Sequence, residues 1–587
     1  MTRITAIELE NFQSIERRTR IDLKPITLLF GPNSAGKSAI FDAIELLRVI
    51  LDPIAFDEQL ASDMVNRWAR RNDTEPVREL FLAVEFIYNF EDPFSVWNED
   101  ANWQLHTRPS RDNNFMLETD EDFTPINRGD TIRIELGLKV VNKKVTTLCR
   151  LSELSCSVQG KALTSITKHS LKNQRNEASI DSTEKKENED YGERSLTIYD
   201  NLDSNFMDYK LRMYLDGAVK KKHGADPDYV KYQNESGNHW KLPITCDSLS
   251  PLKIISDWTP QEFDDGEVGN RICRNFFEIL FYFGTILFQP TRGKPGVVVS
   301  DRRAPKPTEA LAVVDLGLKG WWSKDSFAPS SPADLLSKTN LQLDEHFQGL
   351  AEVAHADLLL RASQSYPWGG EHAEKHVKSV QNLARIFELV NRHLEKNIFT
   401  EKLYKLACAS TLMVPLDLSE DDISGYYSLA QPAAVRLFLQ DGSGQKIELQ
   451  DVGSGIPFVL PILYALASQG FVKVQQPELH LHPALQSSVA DVFIEELHRE
   501  GSGHFLIETH SEHILLRLLR RIRDTEKEKC LSDDMRLSNK DVAVYYFDPN
   551  VNGSTTVTQQ LITPLGDFYT DWPRGFFAER NRDLFDE

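Results

Sequence analysis

Residues Gly31-Pro32-Asn33-Ser34-Ala35-Gly36-Lys37-Ser38 fit the pattern GxxxxGK[ST], whose chemistry is the holding of a polyphosphate. Glycines let successive backbone N–H groups turn inward around phosphate oxygens, and the helix expected to follow presents its positive N-terminus. Gly31, Asn33, Ser34, Ala35 and Gly36 would form the cradle. Lys37 would reach the β- and γ-phosphates, and the Ser38 hydroxyl would hold Mg²⁺. The expected ligand is ATP with Mg²⁺. Three later segments also carry polar groups at the ends of apolar runs. They are Asp451-Val452-Gly453-Ser454-Gly455, then Val474-Gln475-Gln476-Pro477-Glu478-Leu479-His480-Leu481-His482-Pro483, then Phe505-Leu506-Ile507-Glu508-Thr509-His510-Ser511.

The elements that must position these groups are visible as patterns. ITAIELENF alternates apolar and polar residues as a half-buried strand does, and ITLLF is a continuous apolar run suited to a buried parallel strand. Ile40, Ile44, Leu47 and Leu51 then fall on one helical stripe. From about residue 432 the chain reads as two strands joined by a DGSG turn. A helix (456–468), strand (470–474), helix (483–499), strand (504–508) and helix (511–523) follow. Alternating strands and helices imply a parallel sheet covered on both faces.

Between these parts, residues 55–430 differ in character. FLAVEFIYNF, TIRIELGLKVV and SLTIYDNL read as strands, Ile279–Phe288 as a buried strand and 376–397 as a helix. Residues 168–194 have the polar profile of an exposed or mobile segment. The expected architecture is an α/β head in two halves, 1–55 and 431–587, split by a long α+β insertion over 56–430.

Composition bounds the function. At 587 residues with 41% hydrophobic content, the chain can bury more than one core, and no apolar run is long enough to span a membrane. The N-terminus lacks the apolar stretch of a secretory signal, and the six cysteines form no tight metal-ligand pair, so a reducing cytoplasmic setting is expected. A net charge of −21 opposes a surface built to coat nucleic acid. The run Lys220-Lys221-Lys222-His223 reads as a solvated loop or a phosphate contact, and Arg292 as a phosphate contact or a surface ion pair.

Taken in order, the four segments resemble the RecF/SMC/Rad50-like branch of the ABC ATPases, nearest to bacterial AAA-type proteins related to the OLD family. The resemblance covers about 1–50 and 432–587. It implies an ABC-type head in which Ser454 and Gly455 are the signature loop, closing on the γ-phosphate held by a second subunit. A head-to-tail homodimer or higher oligomer would then be the ATP-bound form. It also makes 474–483 the Walker B segment and His510 the switch histidine that senses the γ-phosphate. His480 and His482 recur there as structure.

This chain departs from the family at Gln475 and Gln476, where carboxylates are usual. Glutamine can orient a water, and Gln475 could meet Mg²⁺ indirectly, but neither amide can accept the water's proton. Losing a general base costs roughly 10²–10⁴ in rate, so the expectation is slow hydrolysis unless Glu478 substitutes.

The resemblance further implies a sensor or regulator of a separate HNH-type nuclease in bacterial antiphage defence, as in Septu-like and retron-attached pairs. Contact with nucleic acid would then be indirect. No room is seen for a TOPRIM nuclease after the last motif. The aromatic tail, Asp571-Trp572-Pro573-Arg574-Gly575-Phe576-Phe577, is expected to pack on the head. The competing expectation is a DNA-repair or chromosome-maintenance ATPase that binds DNA itself. A transporter subunit, or a nuclease with its site in the insertion, fits the motifs less well.

Overall fold

The computed structural model describes residues 3–52, 56–70, 77–88, 129–142, 147–168, 194–199, 239–244, 373–399, 404–413, 431–452, 455–467, 471–499, 503–529 and 532–573, with short pieces between 248 and 360. In chain order the strands begin with β1 (Arg3–Glu10), β2 (Thr19–Asp22), β3 (Ile26–Phe30), β4 (Val77–Ile87), β5 (Thr131–Asn142), β6 (Thr147–Val158), β7 (Lys161–Lys168), β8 (Arg194–Tyr199) and β9 (His239–Ile244). They continue with β10 (Val297–Val298), β11 (Leu311–Ala312), β12 (Lys405–Met413), β13 (Gln431–Gln440), β14 (Lys446–Glu448), β15 (Phe471–Gln475), β16 (His504–Glu508), β17 (Val542–Pro549) and β18 (Thr555–Gln559). The helices used below are α1 (Ser38–Leu51), α2 (Glu58–Trp68), α3 (Ala373–His393), α4 (Gly455–Ala467), α5 (Pro483–Leu497) and α6 (Glu512–Glu526). The chain divides into two compact units.

The first unit comprises Met1–Leu23, Gly31–Pro295 and Phe547–Thr558. Its frame is an eight-stranded sheet ordered β2-β1-β4-β5-β6-β7-β8-β9, antiparallel at each pairing. Period-2 alternation explains it: along β5, Ile132, Ile134, Leu136, Leu138 and Val140 are buried, while Arg133 and Glu135 project from the opposite face. Helix α1 contacts β1 and β4, and α2 contacts β5 and β6.

The half-buried reading of β1 fails at Glu8, which is only 7% exposed. Arg18, Arg20 and Arg133 meet its carboxylate at 3.0 Å each. Burial opposes ionisation, but hydrogen bonds from Arg133, Arg20 and Arg18 outweigh it and hold the Glu8 carboxyl at about 2. A depressed carboxyl stabilises the fold above its ordinary value near 4.5, and that contribution is lost as pH falls toward 2. Glu8→Gln should therefore flatten the acid limb of an unfolding titration between those values. An unchanged limb would show that the arginine cluster is not coupled to folding.

The second unit comprises Lys24–Phe30, Gly296–Tyr546 and Gln559–Glu587. A six-stranded sheet is ordered β10-β15-β16-β3-β17-β18, and the pairings from β10 through β17 are all parallel. One face carries Ile26, Leu28, Phe30, Val472, Val474, Phe505, Ile507, Val542 and Val544, packed into one core with α4, α5 and α6. Continuous apolar strands joined by helices give this arrangement, as the sequence leads one to expect. A smaller sheet, β11-β13-β12 with β14 paired to β13, includes the expected DGSG turn, where the Ser443 amide donates to Asp441 Oδ1 at 2.9 Å.

Helix α3 begins slightly before the expected 376 and continues into a π-helical turn at Leu394–Ile398. Its end is anchored by His393, fully buried, whose Nε2 lies 2.6 Å from Glu496 Oε1 on α5. Trp572 of the tail packs against Phe30, Tyr546 and Phe568, so this part of the tail is structural. Of the expected strand Ile279–Phe288 only Leu280 is described, and it is helical. The run at 220–223, Arg292, the polar stretch 169–193 and Arg574–Phe577 lie outside the described residues. Among the described residues no helix is long and apolar enough to cross a membrane.

Candidate nucleotide site

Residues 31–38 join the end of β3, all five of whose residues are buried, to the first residue of α1. The loop's shape depends on its glycines. Gly31 has φ +148°, and a Cβ there would stand 2.5 Å from the Phe547 carbonyl oxygen. Gly36 has φ +84°, and a Cβ there would fall 2.0 Å from Ser14 Oγ. Ser34 also takes a left-handed conformation, with φ 63°. No side chain caps α1 and its first turn holds no acid, which leaves its positive end suited to an anion.

Lys37 is 3% exposed, and its ammonium donates to the Gly31 and Pro32 carbonyls at 3.0 and 2.9 Å. The cation is thereby held over the loop's own backbone. Asn33, Ser34 and Ser38 are exposed, whereas Ala35 is buried. A brace that sequence reading did not find completes the cradle. The Thr555 amide donates to the Ser14 carbonyl at 2.8 Å, and Thr555 Oγ1 lies 2.9 Å from both the Ala35 carbonyl and Ser14 Oγ.

The remaining described site residues cluster in the second unit, at the C-terminal ends of β15 and β16. Gln475 ends β15 opposite Glu508, and its Nε2 donates to Glu508 Oε2 at 3.2 Å. Gln476 turns the chain off the sheet with φ 48°, and its amide donates to the Glu508 carbonyl at 2.7 Å. Glu478 Oε2 accepts from Thr509 Oγ1 at 2.7 Å, and its Oε1 accepts from the His510 amide at 2.8 Å. Both carboxylate oxygens of Glu478 thus hold the segment carrying His510. Ser511 Oγ then caps α6 by accepting from the Ile514 amide at 3.1 Å.

The two histidines after this strand have structural roles. The His480 ring packs 4.4 Å from Phe458, and His482 Nδ1 accepts from the Ala484 amide at the start of α5. Among the described residues no group of three or more His, Cys, Asp or Glu is placed to hold a metal. Gly455 opens α4 so close to this loop that a Cβ would stand 3.2 Å from the His480 carbonyl oxygen. Ser454, the other expected signature residue, lies outside the described residues.

In the first unit the Ser38 hydroxyl is an oxygen ligand of the kind a hard cation such as Mg²⁺ takes. In the second unit Gln475 and Gln476 carry neutral amides, and Glu508 carries a carboxylate and is 6% exposed. Sequence reading passed over Glu508. The available signal was an acid at the end of an apolar strand, directly before Thr509-His510-Ser511.

Residues 3–239 match a family model described as "AAA ATPase domain". Residues 300–516 match another, described as "AAA domain, putative AbiEii toxin, Type IV TA system". No curated protein matches the chain. Among solved structures, the SMC head bound to the C-winged helix domain of ScpA is similar with a TM-score of 0.37 and 11% identity, over 95% of this chain and 97% of that one. An SMC head with an extended coiled coil bound to the C-terminal domain of ScpA, from Pyrococcus furiosus, gives 0.34 and 11% over 95% and 96%. The SMC head domain from Thermotoga maritima gives 0.30 and 8% over 95% and 98%. Likenesses this loose carry no argument about the chain. With the P-loop between β3 and α1 and the parallel order β10-β15-β16-β3-β17, the fold is α/β, with mixed sheets and flanking helices. The chain thus carries two stretches similar to AAA-type ATPase domains, residues 3–239 and 300–516.

Proposed function

We propose that this chain binds ATP with Mg²⁺ at Gly31–Ser38, hydrolyses it slowly, and uses the bound state to regulate a separate effector nuclease in bacterial antiphage defence. The observation that carries the reading is a well-formed phosphate cradle in a chain whose β15 ends at the neutral Gln475 and is followed by the equally neutral Gln476. Lys37 and the loop amides supply the binding energy for the phosphates, and the start of α1 adds its dipole. Mg²⁺, when bound, neutralises developing charge on the β- and γ-oxygens. Gln475 and Gln476 can orient water but cannot remove its proton. Glu478 is committed to Thr509 and His510, which favours a positioning role over a base. His510, held by that carboxylate through its own amide, is suited to register the γ-phosphate.

On this reading two chains associate head to tail, each contributing the segment before α4, with Ser454 and Gly455, to the other's nucleotide. The toxin–antitoxin description of the second family model is compatible with a regulator that acts through another protein. The step to antiphage defence is by family analogy.

The experiment is mass measurement of the purified chain in ATP, in ADP and without nucleotide, repeated with the product of the adjacent gene. ATP-dependent dimers that retain a nuclease support the reading. A chain that stays monomeric in ATP overturns the head-to-tail arrangement. ATP-stimulated, salt-dependent DNA binding by the isolated chain would instead support a DNA-repair or chromosome-maintenance ATPase.

A further inference from the structure

An open cavity of about 460 Å³ lies in the first unit beside the phosphate loop, lined by Gln13, Asp42, Arg67, Trp68, Ala69 and Arg70. Two of its sides continue from that loop. Asp42 follows Ser38 by four residues, about one turn along α1. Gln13 precedes Ser14, whose Oγ occupies the space that a Cβ at Gly36 would need. The volume falls within the roughly 300–1,000 Å³ of small-molecule sites, room enough for a nucleoside whose phosphates sit on the loop.

The walls are fixed by the chain's own hydrogen bonds. Gln13 takes a left-handed conformation with φ 49°, and its backbone amide donates to the Trp68 carbonyl at 2.8 Å. The Arg70 amide donates to the Asn11 carbonyl at 2.9 Å, and its guanidinium donates to the Ser14 carbonyl at 3.2 Å. Trp68 is half-buried with the Phe12 ring packed 6.0 Å away between centroids, and an indole face suits stacking on a base. The decisive contact is that of Gln13 Nε2 with Asp42 Oδ2, at 2.6 Å. An ionised carboxylate only accepts, so the Gln13 amide has one orientation, with its NH₂ on Asp42. Its Oε1 is then the polar group that Gln13 offers the cavity, an acceptor and never a donor.

We propose that this cavity receives the base of the bound nucleotide and that Gln13 selects a 6-aminopurine over a 6-oxopurine. The proposal rests on the reading that Gly31–Ser38 holds the phosphates. The exocyclic N6–H₂ of adenine is a donor and meets Gln13 Oε1, whereas O6 of a 6-oxopurine is an acceptor and opposes it. Asp42 is a positioning residue: it acts through Gln13, fixing which end of that amide is presented.

The test titrates ATP and inosine triphosphate, in Mg²⁺, into the full chain as wild type, Gln13→Ala and Asp42→Asn, with a melting curve for each. Neither nucleotide has a 2-amino group and they differ at the purine 6-position, so their affinity ratio isolates the group that Gln13 reads. Wild type should favour ATP roughly 10–100-fold, a hydrogen bond gained in one case and two acceptors opposed in the other. Gln13→Ala should bring the two affinities within about threefold of each other, chiefly by weakening ATP. Asp42→Asn frees the Gln13 amide to turn and should also lower the ratio, whereas a merely structural role would weaken both nucleotides alike. A wild type that binds ATP and inosine triphosphate equally overturns the proposal, as does folded Gln13→Ala with the wild-type ratio. Folded Asp42→Asn with that ratio overturns the positioning role. A wild-type chain that binds neither nucleotide nor inorganic tripolyphosphate overturns the phosphate-loop reading itself, so the failures are separable.

Discussion

Lys37→Ala is expected to weaken ATP binding by about two orders of magnitude or more. The ammonium is buried over the loop and fixed by two backbone carbonyls, so it is held in place before ligand arrives. Removing one partner of a buried charge pair costs about 2–5 kcal/mol, and each 1.4 kcal/mol is tenfold in affinity. The carbonyls of Gly31 and Pro32 also lose their donor, which frees the loop to sample other shapes. Lys37→Met retains most of the apolar stem and should lose affinity to a similar degree, separating charge from packing. Equilibrium titration with a fluorescent ATP analogue, beside a melting curve, reads both effects. Affinity within threefold of wild type in either variant would show that Lys37 does not touch the phosphates.

Glu478→Ala should destabilise the second unit by about 2–4 kcal/mol. Its two oxygens satisfy the Thr509 hydroxyl and the His510 amide, and Thr509 is completely buried. A buried donor left without its acceptor costs about 1–3 kcal/mol, and here two are affected. Thr509 Oγ1 also accepts from the Ser511 amide at 3.0 Å, so the loss reaches the cap of α6. Glu478→Gln keeps an acceptor but can turn an amide donor toward the His510 N–H, and should lie between wild type and alanine. Denaturant midpoints at constant slope measure the series. Were Glu478 the general base and nothing more, ATP turnover would fall and the midpoint would not move.

The head was legible where local pattern and fold agree. ITLLF followed by GPNSAGKS fixes a buried strand, a phosphate loop and a helix start within a dozen or so residues, and the structure joins them in that way. The alternation of strands and helices after residue 470 likewise specifies the parallel sheet. What escaped was set by pairing across the chain. Glu508 meets Gln475, 33 positions away, only because β15 and β16 lie side by side in the sheet. Thr555 braces Ala35 across 520 positions, and no spacing rule reaches so far. Glu8 follows an alternating pattern in sequence yet is buried, because three arginines from β5 and from the β2 strand and its approach converge on it. The possibility that Glu478 acts as base came from its place in a motif, and its hydrogen bonds give it a bracing role that the motif does not reveal.

Hydrogen–deuterium exchange of the full chain, with and without saturating ATP and Mg²⁺, tests the nucleotide site most directly. Bound triphosphate should slow exchange in peptides spanning residues 30–39, where the loop amides would turn onto phosphate oxygens, and Lys37→Ala should remove that protection. Unchanged exchange across 30–39 at millimolar ATP would contradict a phosphate cradle at this loop.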